Sequence, residues 1–347
     1  MSSEQQLVAG NAHTPTGPTP GDTQMQAIIQ SGYGSPEVLQ FDRVARPEIA
    51  DNEVLIRVQA AGLDRGTWHM MAGRPYLLRV MGFGFFGPKN PVPGIDVAGT
   101  VVAVGSAVTR FVAGDEVFGI AKGSFAEYTA ALQDKLALKP PSLTFEQAAV
   151  VPVSAMTALQ GLTDVGRLEA GQHVLIVGAS GGVGSYAVQI AKALGAEVTG
   201  VASTPKLDLV RSLGADHVID YTFEDFADGS HRYDLVLDIG GNRPLSRLRR
   251  ALTPTGTVVI VGGEEGGKVT GGFGRSLRAP IVSLFVKQRL AMLANKERGS
   301  DLERLTPLIQ SGAVVPSIDR TFSLAQVPDA MRHLMNGNAR GKVAITL

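Results

Sequence analysis

The sequence predicts an α/β protein with two domains, a barrel-like β domain and a doubly wound parallel sheet. Short β-forming runs broken by glycine and aspartate turns fill the chain from Met25 to about Val151. From about Pro152, short apolar runs alternate with stretches of helical spacing. Early in that alternation an apolar strand runs into a cluster of glycines and then a helix. A chain of 347 residues suits two domains of the usual ~100–200 residues each.

In chain order, candidate strands cover residues 26–30, 38–44, 53–60, 97–104 and 126–131. Turn signals at 32–34, Asp51-Asn52, Gly105-Ser106 and Gly114-Asp115 separate them, the pattern of a compact all-β unit. The next strand is 173–177. Val183, Ala187, Val188, Ala191 and Leu194 then recur at helical spacing, and Gly195 supplies the stop. A strand at 197–202 leads to a helix at 206–213 ended by Gly214. Strands at 217–220, 234–238 and 257–261 follow, with a helix near 244–252. Strands that alternate with helices pair in parallel through crossovers, hence the doubly wound sheet. The C-terminal part adds a helix at 302–310, a strand after Pro316, a helix at 325–335 and a last strand at 342–347.

Composition excludes several function classes. At 44% apolar and 18% charged residues, the chain can bury a large core. Lysine plus arginine and aspartate plus glutamate both number 32, so no broad electrostatic grip on nucleic acid or anionic membrane is expected. The absence of cysteine removes disulfides, thiolate metal sites and a thiol nucleophile. Residues 1–24 are polar and rich in Pro, Gly and Thr, which reads as a disordered tail and not a secretory signal. No window reaches the ~18 apolar residues of a membrane span, and the cytoplasm is the expected address.

The strongest chemical signal is HVLIVGASGGVGSYAVQIAKALGAEV. Gly178, Gly181, Gly182 and Gly184, with Ser180 and Val183 between them, join strand to helix. Glycines there permit a tight turn, a close approach of backbone to a pyrophosphate, and packing of helix on strand. The helix start offers free N–H groups and the positive end of its dipole to the phosphates. An NAD site wants an acid at the far end of the second strand, but Glu197 stands at its near end. The far end reads Ala202-Ser203-Thr204-Pro205-Lys206. The hydroxyls of Ser203 and Thr204 and the Lys206 ammonium suit a 2′-phosphate, so NADPH is the expected coenzyme. The same loop also fits G-x-S-x-G, the nucleophile elbow of α/β-hydrolases, with Asp238 and His333 as nominal partners for Ser180. That reading leaves a second glycine pair, Gly262-Gly263, without a use.

Further motifs are VPGIDVAG from Val92, GDEV from Gly114, Pro152 through Thr157-Ala158, LGAD from Leu213, DIGG from Asp238 and GKV from Gly341, beside GASGGVG. On these motifs the chain resembles, from about Met25 to Leu347, the medium-chain dehydrogenase/reductase superfamily, and within it the zinc-free quinone oxidoreductase branch of ζ-crystallin and the reticulon-interacting homologues. The resemblance implies a GroES-like domain over 25–151 and 296–347, a Rossmann domain over 152–295, and a cleft between them for nicotinamide and substrate. It places Thr157 near the nicotinamide ribose, Tyr221 by the adenosine, Gly240, Gly241, Gly262 and Gly263 at strand ends around the coenzyme, and Lys342 in the cleft. Where the zinc enzymes of the superfamily use a Cys and a His–Glu pair, this chain has Asp64 and Ile95-Asp96. Isoleucine cannot ligate a metal, and a lone Asp is a poor zinc site.

Without a metal, the charge that hydride transfer builds on the acceptor oxygen needs hydrogen-bond donors or a proton. The family's catalytic loop is LDRGTWH here, from Leu63. Asp64, Trp68, His69 and Tyr76 are the candidates for catalysis, with Arg65 and Arg74 more plausibly solvated or ion-paired. The apolar segment LLRVMGFGFFG, residues 77–87, suits either a lid over a hydrophobic substrate or a helix packed on the core. Residues 283–293 mix strand formers with charge, and the resemblance implies an edge strand there that pairs across a two-fold axis in a homodimer. The expected function is zinc-independent, NADPH-dependent hydride transfer to a hydrophobic quinone or α,β-unsaturated carbonyl acceptor. An alcohol or ketone dehydrogenase is the enzymatic alternative, and a weakly catalytic NADPH-binding partner protein the non-enzymatic one.

Overall fold

The computed structural model describes residues 23–77, 79–80, 84–241, 243–262, 267 and 271–347. Of the expected tail, all but Thr23 and Gln24 lies outside the described residues, as do Gly263 and four residues of the apolar loop, Leu78, Met81, Gly82 and Phe83.

An antiparallel ribbon of β1 (Gln24–Gln30) and β2 (Leu39–Ala45) opens the fold. The larger sheet, antiparallel except for its last pair, begins with β3 (Glu53–Leu63), β4 (Asp96–Val104), β5 (Glu116–Ile120), β6 (Tyr128–Leu132) and β7 (Leu136–Leu138). Helices α1 (Arg65–Ala72), α2 (Phe145–Ala149) and α3 (Pro152–Gln160) interrupt and follow it. The second sheet holds β8 (His173–Val177), β9 (Glu197–Ala202), β10 (His217–Asp220), β11 (Tyr233–Asp238), β12 (Leu252–Ile260) and β13 (Arg289–Met292). Its helices are α4 (Gly182–Ala193), α5 (Leu207–Ser212), α6 (Leu245–Arg250) and α7 (Phe273–Ser283). After α8 (Gly299–Gln310), the strands β14 (Ile318–Ser323) and β15 (Lys342–Thr346), with α9 (Val327–Met335) between them, return to the first sheet.

β3 organises the larger sheet. Along one edge it pairs with β6 over its first half and with β15 over its last four residues, while β4 covers the other edge. Register shifts at Leu55/Ile56 and Val58/Ala60 bend the strand enough to serve all three neighbours. The second sheet runs β10-β9-β8-β11-β12-β13, every pair parallel. Its central strand β8 is buried at every position but the first, as a strand covered by helices on both faces must be. Chain order reverses between β8 and β11, and the crevice at such a reversal is where open α/β sheets bind ligands.

One apolar cluster crosses between the sheets, joining Ala60, Ala98 and Phe118 to Met156, Tyr186 and Ile190. The Tyr186 hydroxyl donates to the Val150 carbonyl at 3.1 Å, so this deep polar atom is satisfied. Among the described residues no helix is long and apolar enough to cross a membrane.

Several elements differ from the sequence expectation. The segment after Leu63 forms a helix where a loop was expected: the Asp64 carboxylate accepts from Thr67 N to start α1, and Gly73 ends it in the left-handed conformation. Two short strands, β5 and β7, escaped notice among glycines and turns. Residues 283–293 divide into the end of α7 and a strand of four residues, β13.

Glycine 184 illustrates the packing that the glycine loop demands. A Cβ there would lie 2.1 Å from the Gly178 carbonyl oxygen and 2.7 Å from Ala179 Cα. Gly184→Ala is therefore expected to lower stability by about 1–3 kcal/mol through overpacking. Gly32→Ala, where a Cβ meets nothing within 4 Å, should stay within about 0.5 kcal/mol of the parent. Urea unfolding midpoints of the two variants decide the matter.

Candidate active site

The loop after β8 is built for an approaching backbone or phosphate. Gly178 has φ +86°, and a Cβ on it would lie 2.9 Å from Gly240 N. Gly240 N in turn donates to the Val177 carbonyl at 3.1 Å, so the loops after β8 and β11 touch through bare main chain. Gly181 is the N-cap of α4, and no side chain caps it. The first amides of that helix are thus left to an external acceptor, with the helix dipole behind them. Gly241, at φ +101°, has open space where its Cβ would be. Ser180 and Val183 lie within the turn; the Ser180 carbonyl accepts from Gly341 N at 2.9 Å. These features fit the pyrophosphate of a dinucleotide.

The end of this crevice that β9 and β10 border carries Ser203, Thr204, Lys206 and Tyr221. Tyr221 is about half exposed. The Thr204 hydroxyl donates to the Asp220 carboxylate, which also accepts from Thr222 N and its hydroxyl at 3.0 and 2.6 Å. Lys206 Nζ donates to the Gly337 and Ala339 carbonyls at 2.6 and 2.9 Å. The sequence reading found these polar groups and missed Asp220, which parallel pairing of β10 with β9 brings level with Ala202. On the opposite side, Thr157 of α3 is buried; its hydroxyl donates to Val153 O at 2.6 Å and accepts from Asn295 Nδ2 at 3.0 Å.

A cleft of about 760 Å³ opens between the two sheets. Trp68 and His69 of α1, Ile95, and the segment Val261-Gly262 after β12 all line it. The two rings of Trp68 and His69 meet edge to face with centroids 4.7 Å apart. His69 Nδ1 lies 2.8 Å from the Arg74 carbonyl. Because a carbonyl only accepts, Nδ1 carries the hydrogen, and Nε2 is the atom whose protonation changes. The Trp68 N–H is buried without an acceptor among the described residues.

The other two catalytic candidates do not line the cleft. Asp64 lies beneath it, with Oδ1 engaged by Thr67 and Oδ2 buried without a donor among the described residues. Tyr76 stacks on the Arg79 guanidinium at 4.8 Å, which also faces Tyr33 at 4.4 Å. Tyr33 is a cleft residue that sequence reasoning passed over as part of a turn. Its ring lines the cavity, and its hydroxyl donates to Gly84 O at 2.7 Å, tying down the apolar loop. Phe85 and Phe86 of that loop are exposed and meet edge to face.

Below the glycine loop sits a buried charged cluster. Asp96, fully buried, accepts from Val153 N at 2.9 Å, and its Oδ2 lies 3.4 Å from Lys342 Nζ. Lys342 is 1% exposed and also donates to the Ser154 hydroxyl at 3.0 Å. Its ammonium therefore belongs to this cluster and not to the open cleft. Burial pushes the Asp96 carboxyl up to about 7, the Lys342 charge opposing the rise and the Asp64 carboxylate adding to it. This is where the resemblance puts catalytic zinc, and the residues do not fit that ion. Ile95 has no donor atom, Asp64 Oδ1 is spent on its helix cap, and an ammonium occupies the side of Asp96 that a cation would need. The described residues include no cluster of three or more His, Asp or Glu suited to a metal. The hydrolase alternative fares no better: Asp238 pairs with Arg275 and His333 with Asp319, so neither serves Ser180.

Residues 50–141 match the alcohol dehydrogenase GroES-like domain family, and residues 213–345 the zinc-binding dehydrogenase family. The chain is 36% identical over 341 residues to the 2-methylene-furan-3-one reductase of Solanum lycopersicum, covering 93% of this chain and 79% of that protein. It is 37% identical over 340 residues to the chloroplastic NADPH-dependent alkenal/one oxidoreductase of Arabidopsis thaliana, with the same two coverages of 93% and 79%. The solved quinone oxidoreductase of Coxiella burnetii superposes with a TM-score of 0.81 at 30% identity, over 93% of this chain and 99% of that one. The chloroplast named for the second relative gives the cytoplasmic expectation no support.

The buried cluster makes an asymmetric prediction. Asp96→Asn strands the Lys342 ammonium and should cost about 3–5 kcal/mol. Lys342→Met should cost less, because the Asp96 carboxyl, already raised to about 7, can take a proton and become neutral. The double variant should recover most of the Asp96→Asn loss. Urea titrations of the three proteins at neutral pH test the order.

Proposed function

The chain belongs to the medium-chain dehydrogenase/reductase superfamily, and from that premise we propose that it is a metal-independent reductase that uses NADPH to reduce an apolar enone, enal or quinone. The observation that carries this reading is the bare-backbone crevice of Gly178, Gly181, Gly240 and Gly241, beside a large cleft walled by Trp68 and His69. Relatives named for NADPH, for an alkenal/one substrate and for quinone reduction agree with it.

NADPH, when bound, supplies the hydride. The amides from Gly182 to Gly184 would hold its pyrophosphate, Ser203, Thr204 and Lys206 its 2′-phosphate, and Tyr221 would border its adenosine. Thr157, Gly240, Gly241 and Gly262 would border its nicotinamide half, and Lys342 supports the glycine loop from below. Apolar cleft walls exclude water and favour a hydrophobic acceptor. His69 takes the role of proton donor: held by Arg74 O at Nδ1, it delivers a proton from Nε2 to the reduced acceptor. Asp64 acts through the start of α1, which carries Trp68 and His69, and Tyr76 through Arg79 and Tyr33. Residues 25–151 with 296–347 and residues 152–295 form the two domains of this reading. A homodimer through β13 completes it, supported by the outer edge of that strand and by exposed Leu277, Ile281, Leu284 and Phe285 beside it.

A screen of NADPH consumption over quinones, enones, aldehydes and simple ketones should find turnover with the conjugated acceptors. Turnover with simple ketones alone would replace the proposal with a ketone dehydrogenase, and binding without turnover would leave a partner protein. His69→Ala should lower kcat by about 10²-fold with the NADPH Kd unchanged. Lys206→Glu should weaken NADPH at least about tenfold and spare NADH. Light scattering at micromolar concentration should give the mass of a dimer.

A further inference from the structure

Arg275 joins three walls of the site through one side chain. It lies in the first turn of α7 and is 8% exposed. Its Nη1 is 2.5 Å from Asp238 Oδ2 and donates to Arg243 O at 3.0 Å. Its Nη2 donates to Gly262 O at 2.7 Å and lies 3.4 Å from Gly241 O. Asp238 is the last residue of β11, the carbonyls of Gly241 and Arg243 belong to the loop that follows, and Gly262 follows β12. The guanidinium therefore spans both loops that flank the proposed nicotinamide seat. Gly271, Gly272 and Ser276, immediately around Arg275 in the chain, line the same cleft as Trp68 and His69.

Only a planar fork with five N–H donors reaches a carboxylate and several carbonyls at once; a lysine ammonium is a point charge and cannot. Stability alone does not account for the pair. Buried ion pairs are often replaceable by apolar side chains without loss, and here Asp238 Oδ1, Asp238 Oδ2 and Arg275 Nε all lack a hydrogen-bond partner among the described residues, the two side chains meeting as an ion pair. Movement of Gly240 and Gly241 would also be felt at the glycine loop after β8, since Gly178 and Gly240 are in backbone contact.

We propose that Arg275 is a positioning residue that locks the loops after β11 and β12 to the start of α7, so that the coenzyme seat and the acceptor wall are set as one unit. Arg275 itself does not line the cleft. The inference rests on the NADPH-reductase reading, and the two can fail separately.

The experiment compares full-length parent, Arg275→Lys, Arg275→Met and the Arg275→Met/Asp238→Leu pair. It measures NADPH Kd by fluorescence, the acceptor KM and kcat on the folded fraction, and the urea midpoint. In Arg275→Lys, NADPH Kd and acceptor KM should rise together by about tenfold, with kcat within about threefold of the parent. The charge-free pair should show the same rise with its urea midpoint restored toward the parent. Unchanged Kd and KM in Arg275→Lys overturn the proposal whatever the midpoint does, as does a rise in one constant without the other. Should Arg275→Met not fold, Arg275→Lys and the pair decide alone. A parent that binds no NADPH overturns the reductase reading instead.

Discussion

Two turns of main chain can press Cα against amide only where no Cβ would point into the contact, and the site depends on one such meeting. Gly178 and Gly240 end neighbouring parallel strands and touch through backbone. Gly184 repeats the condition one helical turn on, against the Gly178 carbonyl. Close contact brings the start of α4, the loop after β11 and the segment after β12 around one crevice. The same omission of side chains leaves N–H groups facing outward, where a phosphate can replace the missing partners. Packing and binding thus draw on one property of the sequence.

Electrostatics beneath the loop complete the arrangement. Where a metal would supply fixed charge, this chain holds the Lys342 ammonium against the Asp96 carboxyl and the Ser154 hydroxyl. The pair links the last strand of the chain to β4 and to the helix that precedes the parallel sheet. It spans the two halves of the protein under the glycine loop, and Gly341 reaches Ser180 by a backbone hydrogen bond beside it. A neutral, internally satisfied cluster can serve as a support without attracting a cation. In the proposed mechanism the polarising task falls to donors on the cleft wall, foremost the imidazole of His69.

Legibility in the sequence followed the range of the interactions. β8, the glycine turn and α4 were plain, because an apolar run, a glycine cluster and a 3.6-residue period are all local. Strands β9 to β12 were plain for the same reason, whereas β13 came only from the resemblance. α1 was missed although both of its caps, Asp64 and Gly73, stood in the sequence, since the segment between them has little apolar periodicity. β5 and β7 are only five and three residues long, and pairing with neighbours, not composition, makes them strands. Tyr33 and Asp220 carried no signal at all. One reaches the cleft from a turn, and the other meets Thr204 across sixteen residues of chain.

The sequence by itself determined the alternation of strands and helices after Pro152, the glycine loop after β8 and the want of cysteine ligands, each a matter of residue type and near spacing. Tertiary structure alone decided which polar groups met. Folding placed Lys342 beside Asp96 and out of the cleft, set Tyr76 on Arg79, and brought Arg275 from a helix to two loops. Such contacts join residues far apart in the chain, and their geometry follows from how the sheets twist and pack, which no local pattern of residues encodes.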